Sequence, residues 1–87
     1  MSDETLLDFP CDFPVKLMGR QSDAFEATVR SLVENHAGPI NDDAVRSSLS
    51  RNGRFVSVTI TVTATSKQQL DNIYQDATDH PDVLMAL

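Results

Sequence analysis

The chain has 87 residues, which is enough for one small domain, and its 40% of apolar residues can form a single core without a disulfide. Thirteen acidic residues against seven basic ones give a net charge of −6, which disfavours nucleic acid and anionic membrane surfaces as partners. The polar, acidic N-terminus lacks a secretory signal pattern, and no segment approaches the ~20 apolar residues that cross a bilayer, so the sequence predicts a cytoplasmic protein.

Two parts of the chain are predicted, a flexible N-terminal arm over residues 1–11 and a single domain over residues 12–87. From Asp12 to Met18 apolar and polar residues alternate, which predicts the first strand. Its apolar side chains share one face: Phe13, Val15 and Leu17.

The first helix is predicted to begin at Asp23, because Glu26 follows at the spacing of a capping box. Apolar residues and one histidine then recur at helical spacing and form a stripe for burial: Phe25, Val29, Leu32, Val33 and His36. Gly38 and Pro39 predict the end of the helix, since proline cannot continue it.

The strongest local signal is Asn52-Gly53, the preferred pair of a two-residue type I′ hairpin turn. This turn predicts three cross-strand pairs on one apolar face: Leu49 with Val56, Ser47 with Val58, and Val45 with Ile60. The third strand, with its regular valines and isoleucine, is predicted to lie in the interior of the sheet.

Thr65 or Ser66 is predicted to cap a second helix, with Gln68 or Gln69 completing the capping box. The apolar segment from 83 to 87 follows a turn and predicts a last strand that is partly buried on both faces. The order strand, helix, strand, strand, helix, strand predicts an α+β, ferredoxin-like βαββαβ sandwich. Right-handed crossovers place both helices on one face of its four-stranded antiparallel sheet.

Four segments together resemble the YbeD-like family of small bacterial proteins, a family of unassigned function. They are Leu7–Pro10, Phe13–Gly19, Gly53–Thr65 and Asp82–Leu87. The resemblance implies a ferredoxin-like fold similar to ACT regulatory domains, which bind small effectors, usually across paired domains. It implies no known activity and offers no catalytic residues.

The loop after the first strand is one candidate ligand site, because there a helix start and a cation can meet an anion. Its residues are Gly19, Arg20, Gln21 and Ser22. An acylphosphatase holds a phosphoryl group at such a loop with an arginine and a nearby asparagine. A small hydrolase of that type is therefore an alternative function, although the glycine-rich loop pattern and the asparagine on the second strand are missing.

The polar face of the hairpin is a candidate interaction surface, formed on the third strand by Phe55, Ser57, Thr59 and Thr61. RNA-binding domains of this topology stack bases on aromatic residues at such a face, but here only Phe55 is aromatic. A protein partner or a second copy of the chain fits the uncharged hydroxyl groups better. A face left to water is the other interpretation.

Metal ligands, cofactors and catalytic residues are not predicted. His36, His80 and the single cysteine, Cys11, are too far apart in the sequence for zinc-ligand spacing, and the acidic residues fit solvated surfaces. The sequence therefore favours a non-catalytic regulatory or interaction module that binds a protein partner or a small effector, as a monomer or a homodimer.

Overall fold

The computed structural model describes residues 8–87, and residues 1–7 of the predicted arm lie outside the described residues. The elements are β1 (Cys11–Arg20), α1 (Phe25–Ala37), a 3₁₀ turn (Asp42–Ala44), β2 (Val45–Leu49), β3 (Phe55–Ala64), α2 (Lys67–Asp79) and β4 (Val83–Ala86). In the described part of the predicted arm, Phe9 packs against the core and Cys11 is already the first residue of β1.

The four strands form one antiparallel sheet in the order β2-β3-β1-β4, so the long strands β1 and β3 lie in its centre. Alternate residues of β1 and β3 share one buried cluster with residues of both helices, such as Val15, Ile60, Val29 and Ile73. Both helices therefore cover the same face of the sheet. The predicted α+β, ferredoxin-like fold is confirmed.

The hairpin between β2 and β3 has the predicted register, with Val45 opposite Ile60 and Leu49 opposite Val56. Its turn is different from the predicted one. The backbone N–H of Gly53 donates to the Ser50 carbonyl at 2.9 Å, so Arg51 and Asn52 are the central residues of the turn. Gly53 follows with φ 74°, a conformation that glycine adopts without steric cost.

Side-chain bonds explain why the turn is wider than predicted. The Oδ1 atom of Asn52 accepts from the backbone N–H of Arg54 at 3.0 Å and from the Ser50 hydroxyl at 2.9 Å. The Ser50 hydroxyl oxygen in turn accepts from the N–H of Phe55 at 3.1 Å. Two of these bonds satisfy the backbone N–H groups of Arg54 and Phe55, and the third holds the two accepting side chains together, so the longer turn is stabilised.

The two helix starts differ from each other. In α2 the Ser66 hydroxyl accepts from the N–H of Gln69 at 3.1 Å, and the Gln69 side chain accepts from the N–H of Thr65 at 2.8 Å. These are the predicted capping residues, Ser66 with Gln69, although the Gln69 side chain bonds to the N–H of Thr65 rather than to that of Ser66. The predicted cap of α1 at Asp23 is wrong, because the helix begins at Phe25 after Ala24 and has no side-chain cap bond.

The last strand is less buried than predicted. β4 lies at the edge of the sheet and pairs only with β1, with an irregular register between Met18 and Gly19. Leu84 is 54% exposed and Met85 is 49% exposed. An edge strand with two consecutive exposed apolar side chains replaces the predicted strand that is partly buried on both faces.

Candidate functional site

Gly19, the first residue of the candidate loop, is buried in β1 and turned toward the helices. A Cβ atom built on Gly19 would lie within 3.0 Å of the Asp82 carbonyl oxygen and of the Phe25 ring. Only glycine fits between these two neighbours without a shift of the backbone. The position of Gly19 thus serves packing at the start of α1.

The other three residues of the loop point to different surroundings. Arg20 is exposed and lies opposite Phe55 in the register of β1 and β3, and its Cζ atom is 5.9 Å from the centroid of the Phe55 ring. The backbone N–H of Gln21 donates to the Arg54 carbonyl at 2.9 Å, and the Ser22 carbonyl accepts from the N–H of Phe25. The loop therefore uses the Gln21 N–H group inside the fold and places its cation over the sheet.

A groove of about 620 Å³ lies beside the loop, between the start of α1 and the end of β2. Gln21 and Ser22 line it together with the acidic residues Asp23 and Glu26, and Glu26 accepts from the Ser47 hydroxyl at 2.5 Å. The guanidinium of Arg30 is also at the groove but bonds to Asp42 at 2.7 Å. This bond is the main reason why the pKa of Arg30 is raised.

The electrostatics of this groove disfavour an anion. Two carboxylates line it, and its cation is already neutralised by Asp42 and by Glu34, which is 3.5 Å away. A bound phosphate or carboxylate would be repelled by Asp23 and Glu26 and would have to compete for Arg30.

The face of the sheet opposite the helices, called here the open face, holds the candidate interaction residues. Phe55, Ser57 and Thr59 are half-buried on it, and Thr61 is exposed. The strand register shows which other side chains share this face, because residues directly opposite each other on antiparallel strands point to the same side. They are Asp12, Pro14, Lys16, Met18 and Arg20 of β1, Arg46 and Ser48 of β2, Thr63 of β3, and Met85 of β4.

Rows of side chains run across the open face. One row places Met85 opposite Met18 and Met18 opposite Ser57, so two thioether side chains lie side by side. The next row places Lys16 and Arg46 on either side of Thr59. Sequence reasoning found the β3 residues, and the predicted hairpin register also places Arg46 on their face, but the neighbours from β1 and β4 were missed. The even-numbered residues of β1 continue the alternation that predicted the strand, but their partners depend on long-range pairing.

Histidines and acidic residues are dispersed over the rest of the surface. Among residues 8–87 no group of three or more His, Cys, Asp or Glu side chains is close enough to hold a metal ion. His36 on α1 bonds through Nε2 to Asp76 on α2 at 2.5 Å, which ties the two helices together. In the same part of the chain, no helix is long and apolar enough to cross a membrane.

Comparison with known proteins identifies the family. Residues 4–87 match the family described as "Protein of unknown function (DUF493)". The chain belongs to the DUF493 family. It is 44% identical over 87 residues to a UPF0250 protein of Nitrosomonas europaea and 49% identical over 89 residues to a UPF0250 protein of Chromobacterium violaceum. Both matches cover 100% of each chain, and the predicted resemblance to the YbeD-like family is confirmed.

A solved structure agrees with the DUF493 chain in fold. The solution structure of protein HP0495 from H. pylori has a TM-score of 0.73 at 18% sequence identity, and the match covers 99% of this chain and 90% of that one. At this identity the likeness concerns the fold alone.

Proposed function

We propose that this DUF493 protein is a non-catalytic interaction module that binds a protein partner through its open face. The observation that carries the proposal is an apolar pair on two adjacent strands, the half-buried Met18 and the exposed Met85, beside Arg20 and Phe55. Methionine, arginine and aromatic side chains are enriched in protein interfaces, and methionine adapts its shape to a partner.

The loop after β1 supports the other two hypotheses less well. A small anionic effector there would meet Asp23 and Glu26, while Arg20 extends over Phe55 on the open face. A hydrolase of acylphosphatase type needs loop N–H groups that point at the phosphoryl group, and the N–H of Gln21 donates to Arg54 instead. These placements favour a surface for binding over a pocket for catalysis.

A photo-crosslinking amino acid at Thr61, in the full-length chain and in its native cells, tests the proposal. Thr61 is exposed on the open face, and Gln75, exposed on α2, is the matched control position. We expect a covalent adduct with a different protein from position 61 and none from position 75. The substitution Met85→Glu should abolish the adduct without changing the circular dichroism of the purified protein, since Met85 is 49% exposed.

Two results would contradict the proposal. Equal adducts from both positions would show that the open face has no preference over the helical side. An adduct made of two copies of this chain would assign the face to homodimerisation, and sedimentation of the purified protein would then show a dimer that Met85→Glu dissociates.

A further inference from the structure

The charged residues of this chain are segregated between the two sides of the molecule. The two helices carry five carboxylates against two cations: Glu26, Glu34, Asp71, Asp76 and Asp79 against Arg30 and Lys67. The four strands carry one carboxylate against three cations: Asp12 against Lys16, Arg20 and Arg46. A chain with a net charge of −6 therefore presents a locally basic sheet face.

Ion pairs strengthen this contrast. Arg30 and Lys67 on the helical side are paired with carboxylates, Arg30 with Asp42 at 2.7 Å and Lys67 with Asp71 at 2.7 Å. Among the residues that the structure describes, no carboxylate lies within 4.0 Å of the basic groups of Lys16, Arg20 or Arg46. The positive charge of the open face is thus available to a partner.

The row through Thr59 gives this charge a defined geometry. Lys16 and Arg46 are the direct neighbours of Thr59 on β1 and β2, so their backbones lie two strand spacings apart, about 10 Å. Both side chains are long and exposed, and both can bend toward a group above Thr59. A carboxylate in that place could accept from the lysine, the arginine and the threonine hydroxyl together.

The adjacent row limits the class of partner. The Met18 and Met85 side chains lie one row from Lys16 and Thr59, so an occupant of both rows needs aliphatic side chains beside its carboxylates. A nucleic acid would need stacking side chains, and Phe55 is the single aromatic residue on the described open face. The acidic helical side repels an acidic partner and turns it toward the sheet as it approaches.

We infer that the partner docks an acidic segment with aliphatic side chains on the open face, with one carboxylate over Thr59 between Lys16 and Arg46. This inference rests on the proposed function and names the chemistry of the partner. Its aliphatic side chains pack on Met18 and Met85.

The probe is a labelled synthetic peptide of alternating glutamate and leucine. It is about ten residues long, which matches the length of the central strands β1 and β3. Its fluorescence anisotropy is followed as full-length protein is added. Comparison probes of equal length are a lysine–leucine peptide, a glutamate–serine peptide and an oligothymidylate. We expect the glutamate–leucine peptide to bind most tightly, with an affinity that falls as salt is raised.

Charge reversal on the open face provides the decisive comparison. Lys16→Glu and Arg46→Glu are each expected to weaken binding of the glutamate–leucine peptide about ten-fold or more, as for charge pairs that face each other at an interface. Lys67→Glu makes the same change of charge on α2 and should weaken binding less than about two-fold, because it lies on the far side of the molecule. Lys16→Glu should also gain affinity for the lysine–leucine peptide, a gain that a merely unfolded variant cannot show.

Four outcomes would overturn the inference. If the oligothymidylate binds more tightly than the glutamate–leucine peptide, the open face binds single-stranded nucleic acid instead. If Lys67→Glu weakens peptide binding as much as Lys16→Glu and Arg46→Glu do, binding depends only on the net charge of the protein. The glutamate–leucine peptide could fail to bind while the Thr61 adduct still forms and is unaffected by Lys16→Glu. That result would contradict an acidic partner but not the proposed function. Absence of the Thr61 adduct would contradict both this inference and the proposed function.

Discussion

The ring of Phe25, the first residue of α1, lies directly against the backbone of Gly19 in β1. The carbonyl oxygen of Asp82, just before β4, approaches Gly19 as well, so three segments meet where a side chain would otherwise stand. This contact fixes the start of the first helix against the sheet in place of a side-chain cap.

Gly19→Ala should therefore destabilise the protein by about 1–3 kcal/mol, the usual range for an added group in a packed core. Urea denaturation measures the change. The double variant Gly19→Ala with Phe25→Leu should recover part of the difference, because the smaller side chain leaves space for the new methyl group. Strictly additive losses would show that the strain comes from Asp82 rather than from the ring.

The turn of the hairpin depends on a side chain. Asn52→Ala removes the acceptor for the Ser50 hydroxyl and for the N–H of Arg54, and should cost about 1 kcal/mol. Asn52→Asp keeps that acceptor and should cost clearly less in the same denaturation experiment. Equal losses for the two variants would show that the amide group, rather than Oδ1, supports the turn.

The hairpin also shows how far sequence reasoning reaches. Its register was predictable because a one-residue slip would turn Val56 and Val58 away from the core. The alternation of apolar and polar residues in the sequence is enough to predict this cost. The form of the turn was not predictable from the Asn52-Gly53 pair. The hydroxyl of Ser50, two residues before Asn52, accepts from the backbone N–H of Phe55 and so stabilises a longer turn. Local preference gave way to a side-chain network.

Outside the hairpin, the open face was predictable only one strand at a time. Alternation placed Thr59 on the polar side of β3 and Lys16 on the outer side of β1, but nothing local states that they are neighbours. The register of β1 against β3 joins residues between 35 and 53 positions apart, and it arises from the common core beneath them. The concentration of basic residues on this face follows from that register, while the net charge of −6 suggested the opposite.

Replacing serine by alanine should have opposite effects at a helix cap and in a helix interior. Ser66→Ala removes the hydroxyl that accepts from the N–H of Gln69 and should cost about 1 kcal/mol of stability. Ser31→Ala, in the exposed interior of α1, is the matched control and should raise stability by about 0.5 kcal/mol, because alanine has the higher helix propensity. If both variants lose stability to the same extent, the capping role of Ser66 is wrong.

Tyr74 gives the stability of the fold a dependence on alkaline pH. Burial raises the pKa of Tyr74 above its usual 10.0, and its hydroxyl donates to the Leu87 carbonyl at 3.0 Å. Since the unfolded chain loses this proton first, the stabilisation is fully present below pH 10.0 and is lost as the pH rises through the higher pKa of the folded state. With one tyrosine and no tryptophan in the chain, phenolate absorbance reports Tyr74 alone. The Tyr74 hydroxyl should titrate at a higher pH in the folded protein than in the chain unfolded in urea. Tyr74→Phe should reduce the fall in stability at alkaline pH. Identical titrations of the folded and unfolded chains would refute the effect of burial.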